Sequence, residues 1–195
     1  MLATVPPARA QTSAPSPSRS TAAGLFLGGA AVGFAAHESG HLVFDLLFDA
    51  EPGIAKVDFH GIPFFAITHR SDLSPKREFA ISSAGFWVQH AGSEWLLTRR
   101  PDLRHEHAPF AKGVLAFNVL ASVAYAGLAF ARTGPLERDT RGIAISSGVD
   151  ERWVGAMLLV PATLDGYRYF APGRKWAVWV SRAAKVGMVL LIAKA

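Results

Sequence analysis

The chain has 195 residues, half of them hydrophobic and 18% charged, with a formal net charge of +5 and no cysteine. Without thiols there is no thiolate zinc site, iron–sulfur cluster or disulfide, so any metal must be held by His, Asp or Glu. The positive charge is spread thinly over the connections, which argues against a nucleic-acid footprint and suits contact with anionic membrane lipid.

Residues 1–20, rich in Pro, Ser, Ala and Thr, read as a disordered tail or a signal-peptide remnant ahead of a membrane-embedded domain over 21–195. Ala8-Arg9-Ala10 has the look of a signal-peptidase site, although the apolar stretch before it is far too short for a signal peptide. From Thr21 to Ala36 the chain is uncharged, and the segment runs on to Phe48 carrying Gly24, Gly28, Gly29 and Gly33. This predicts a closely packed membrane helix. Residues 51–72 alternate, carry β-branched and aromatic side chains, and break at Gly61 and Pro63, which predicts a β-hairpin over about 54–68.

A second, marginal span begins at Arg77 and contains His90 and Glu94; Gly113–Ala131 is the cleanest span. A polar loop is expected over 132–152, then an apolar run from Trp153 to Leu164. The last segment, Trp176 to Ala193, carries Arg182 and Lys185, expected to snorkel or face the interface. Trp95, Trp153, Tyr167, Tyr169 and Trp176 fall at segment ends, as an interfacial belt requires. The fold class expected is therefore mainly α: a polytopic membrane bundle of about four to five spans with a small β-hairpin after the first. The mean hydropathy of +0.23 agrees in direction.

His37-Glu38-Ser39-Gly40-His41 fits H-E-x-x-H. On a helix, residues i and i+4 share a face, so His37 and His41 can hold one ion while Glu38 acts as general base on a water. Zn2+ brings that water's pKa toward ~7. In an apolar segment three such residues need compensation, which a metal provides. A catalytic zinc site needs a third protein ligand. H-E-x-x-H-x-x-G-x-x-H fails at Phe44 and Leu47; a downstream Glu could only be Glu51 or Glu78, neither on an obvious second ligand helix; a third option is Asp165, ending an apolar run before Gly166.

The first motif on a hydrophobic span, with a late Pro161-x-x-Leu164-Asp165-Gly166, resembles the site-2 protease family of intramembrane zinc metalloproteases. "KREFAISSAGFW", after the hairpin, is similar to that family's E-F-x-x-x-x-A-G-P helix start, and the likeness covers roughly residues 25–170. It implies His37, His41 and Asp165 as zinc ligands, Glu38 as base, and a membrane-protein or peptide substrate in a bacterial inner membrane. Phe86 stands in place of the family's proline, Gln89 near its downstream Asn, and apolar Met157 near its second Asn. Pro161 lies one residue closer to Asp165 than usual. Gln89, Asn118 and Phe65 are candidates for holding substrate; Asn118 also fits an interhelical hydrogen bond. His105 and His107 read as a solvated loop. Alternatives left open are a catalytically silent metal-binding membrane protein that binds a partner, a haem protein using His37 or His41 with His90, and a secreted soluble zinc protease.

Overall fold

The computed structural model describes residues 18–59 and 62–194. Most of the expected tail, residues 1–17, lies outside them. The element order is α1 (Arg19–Leu47), β1 (Gly53–Phe59), β2 (Ile62–Thr68), α2 (Pro75–Arg99), α3 (Pro109–Ala131), α4 (Asp139–Ser147), α5 (Glu151–Phe170) and α6 (Lys175–Lys194). The chain is thus mainly helical, with one small antiparallel hairpin following the first helix. Helix α1 starts earlier than the sequence suggests. Ser18 caps it, its hydroxyl accepting from the Thr21 amide at 3.2 Å, so Arg19 and Ser20 belong to the helix and not to a tail.

Two helices, α1 and α3, are long and apolar enough to cross a membrane, with mean hydropathies of 1.2 and 1.9. The other described helices do not pass that test. α1 turns its small and polar residues inward: Gly29, Gly33, His37, Gly40, His41 and Asp45 are its buried positions. Its bulky apolar residues, Leu27, Val43, Leu46 and Leu47 among them, are exposed. That is the reverse of a helix packed in water, whose apolar stripe faces the core.

Glycine sets the close crossing of α1 and α3. A Cβ on Gly113 would overlap the Phe26 carbonyl oxygen, and one on Gly29 would overlap that of Phe110. Backbone cannot swing aside as a side chain does, so Gly113→Ala should cost about 1–3 kcal/mol by overpacking. Gly127→Ala, with nothing within 4 Å of the new carbon, is the control. Thermal unfolding of the two variants checks this, and equal midpoints would refute it.

The expected polar loop 132–152 is not structureless. It contains α4, nine residues long, ended by Gly148 in the left-handed region (φ 69°). α5 likewise runs past Leu164 to Phe170, so Asp165 sits within a helix and not at its end. A core of Phe79, Phe86, Ile143, Val154 and Leu158 joins α2, α4 and α5.

Candidate metal centre

His37 and His41 point from one face of α1 into the bundle, both buried. α2 comes close because Gly40 meets the Ala84 backbone and Gly85 leaves room for the His37 ring, where a Cβ would overlap it. Phe86 packs edge-on to His37, with centroids 5.3 Å apart.

Both rings are oriented through Nδ1. His37 Nδ1 lies 2.9 Å from Gln89 Oε1, and His41 Nδ1 lies 2.8 Å from the Ile81 carbonyl oxygen. Each acceptor calls for a proton on Nδ1, which leaves each neutral ring with its lone pair on Nε2. The two Nε2 atoms are 3.1 Å apart. Asp139 Oδ2, from the first turn of α4, lies 3.1 Å from His37 Nε2 and 3.4 Å from His41 Nε2. Burial pushes the Asp139 carboxyl up, but the His41 and His37 rings beside it outweigh burial and hold it below the usual carboxylate range. Three potential acceptors therefore converge, and either a proton on an imidazole Nε2 or a metal cation among them relieves the repulsion. A tetrahedral ion with bonds of ~2.0–2.1 Å separates its ligand atoms by about 3.3–3.4 Å, close to all three edges of this triangle. The donor set, a carboxylate and two imidazoles whose Nδ1 atoms are hydrogen-bonded on the far side, fits Zn2+. His37, His41 and Asp139 are together able to hold a metal ion.

Asp165, expected as the third ligand, is not in this cluster. It is buried elsewhere, accepting from Ser181 Oγ and Lys185 Nζ, each at 2.8 Å. Of the two residues expected to snorkel or face the interface, Lys185 is instead drawn inside, donating to Glu94 Oε2 at 2.9 Å, whereas Arg182 stays 39% exposed while donating to Oε1 at 2.8 Å. Arg168 donates to the same carboxylate. These residues form a charge network joining α2, α5 and α6, with three cations offsetting two carboxylates. His90, considered for haem, is buried with its Nε2 unpartnered and is no member of the metal cluster.

Glu38, half-buried, lines a cavity of about 430 Å³ with His37, His41 and Asp139. Phe65, Ala66 and Ile67 of β2 form one wall, and Phe117, Ala121 and Tyr125 of α3 another. Phe65 stacks edge-on to Phe34 of α1 at 5.5 Å. Of the residues considered for substrate, Phe65 is thus at the cavity. Gln89 instead orients His37. Asn118 turns to α2, its Nδ2 donating to Gln89 O and Ser93 Oγ, both at 3.1 Å. His105 is exposed and paired with Asp102.

Asp139 was missed by sequence reasoning. Its one signal was negative, since so long a stretch without structure is uncommon inside a compact domain. Comparison with protein-family models, curated proteins and solved structures finds no match.

Proposed function

We propose that this chain is an intramembrane zinc metalloprotease, hydrolysing peptide bonds of transmembrane or membrane-associated substrates. The observation that carries the reading is the convergence of His37 Nε2, His41 Nε2 and Asp139 Oδ2 beside Glu38 at an apolar cavity. A zinc ion supplies Lewis acidity when bound, activating water near neutral pH and polarising a carbonyl. Glu38 takes the proton of the attacking water as the new C–O bond forms, then gives it to the leaving amide nitrogen as C–N breaks. The neighbouring hairpin has β2 lining the cavity, and β1 pairs with β2 along one edge only. An extended substrate segment adds along β2, backbone to backbone, with apolar side chains against Phe65 and Phe117.

The membrane setting draws on the inverted exposure of α1, on the hydropathy of α3, and on Trp95, Trp153 and Trp176 exposed near helix ends. We propose a polytopic arrangement in which α2, α5 and α6 pack around these two spans. The chain keeps the order of motifs that resembles site-2 proteases but takes its third ligand from α4. Native cysteine is absent. A single cysteine at Leu120, an exposed position of α3, should therefore stay unlabelled by a membrane-impermeant thiol reagent in intact membranes. Free labelling would rule out the membrane reading.

One observation favours a second reading, a silent metal-stabilised protein that binds a membrane partner. Both amides considered for holding substrate, Gln89 and Asn118, are engaged inside the bundle. Incubating the zinc-loaded protein with a model transmembrane substrate decides between them: cleavage supports the protease, and zinc binding without cleavage supports the silent protein.

A further inference from the structure

Asp139 is flanked by two residues that grip the same carboxylate, and we infer that Glu151 is the positioning residue of the metal centre. The inference rests on reading His37, His41 and Asp139 as the ligand set. Arg138 Nε donates to Glu151 Oε1 and Arg138 Nη2 to Oε2, each at 2.8 Å, a two-pronged fork. On the other side of Asp139, Thr140 Oγ1 donates to Glu151 Oε1, also at 2.8 Å. Arg138 spends its remaining arm on the loop, with Nη1 donating to the Pro135 carbonyl at 2.9 Å.

All three partners are out of solvent: Thr140 is fully buried, Glu151 is 9% exposed, and the Arg138 side chain is 8% exposed. Glu151 is itself fixed. It opens α5, where the helix dipole favours a carboxylate, and Asp150 caps that helix through the Arg152 amide at 2.9 Å.

A buried ion pair is weak evidence for stability, since well-packed apolar residues often do as well. What this one provides is position. α4 is nine residues long, too short to hold its first turn by helix propensity alone. Its first turn carries the ligand, and a metal ligand must be held to within ~0.5 Å of its place. The clamp ties both backbone neighbours of Asp139 to α5, while the Asp139 carboxylate is left to face the histidines on α1. The Glu151 carboxylate bonds to Arg138 and Thr140 and not to any of the three ligand side chains, so it acts only through the chain on either side of Asp139.

The test uses the full chain in detergent, stripped of metal and titrated with Zn2+ and with Co2+, whose visible absorption reports its ligands. Glu151→Gln keeps the size but spoils the fork; Thr140→Val removes a single tether. Glu151→Gln should bind zinc about 10–100-fold more weakly and show an altered Co2+ spectrum. Thr140→Val should move both readouts in the same direction by less. A Glu151→Gln protein with wild-type zinc affinity and Co2+ spectrum would overturn the inference, even if its metal-free form melts earlier, because a purely structural role predicts that combination. If Glu151→Gln does not fold, Thr140→Val decides on the same two readouts. Asp139→Asn separates the two levels: wild-type affinity in that variant would remove the ligand reading itself, whereas lost affinity there with unchanged Glu151→Gln removes only the role of Glu151.

Discussion

Asp139→Ala is expected to leave the chain without bound zinc, while Asp165→Ala keeps it. The contrast separates the ligand set of the fold from the one the sequence motif suggests. Removing Asp139 takes away one of three donors and leaves the two Nε2 atoms, 3.1 Å apart, as the remaining protein ligands. The affinity loss should exceed the roughly 10–100-fold typical of losing a supporting residue. Asp165→Ala acts on stability instead. Its carboxylate accepts from Lys185 and Ser181 and faces Arg168 at 3.4 Å, so truncation leaves three cations sharing Glu94. Breaking a buried pair in this way costs roughly 3–5 kcal/mol. Zinc content by elemental analysis and thermal unfolding, measured on both variants, give the two readouts. Zinc lost from Asp165→Ala and kept in Asp139→Ala would reverse the assignment.

What the sequence discloses follows the range of the interactions involved. Helix α1, the hairpin and α3 are written in local periodicity and composition, and they appear close to where the sequence places them. His37, Glu38 and His41 lie within one helical turn or so, and their common face follows from helix geometry alone. The third donor does not, because it comes from about a hundred residues away. Asp165 attracts attention because it is a lone acid in an apolar run, yet its compensation lies on α6, in Lys185 and Ser181. Those two residues read locally as interfacial or unremarkable. Asp139, by contrast, hides among Glu137, Arg138 and Arg141 in a stretch whose polarity suggests solvent. Only tertiary packing distinguishes it: Gly142 lets α4 approach α2, where a Cβ would overlap Ser82 Oγ. The same limit applies to Gln89. Its amide is legible as a polar residue in an apolar helix, but its use as the acceptor for His37 Nδ1 depends on a partner fifty-two positions away.

Glu38→Gln should retain zinc and lose cleavage. Glu38 lines the cavity with the two histidines but is not among the three groups that converge, so its removal leaves the donor triangle intact. Gln has nearly the same volume and can still hydrogen-bond a water, but its amide cannot take the water's proton at neutral pH. Loss of a positioned general base costs roughly 10²–10⁴-fold in rate. The variant should also keep the wild-type gain in melting temperature on adding zinc, because that gain is set by metal affinity and not by turnover. Three measurements on one preparation therefore belong together: zinc content, the zinc-dependent shift in melting, and cleavage of a model transmembrane substrate. Unchanged zinc and melting with cleavage reduced by that factor is the expected pattern. Full cleavage would remove Glu38 from the chemistry, and lost zinc would make it a ligand and not a base.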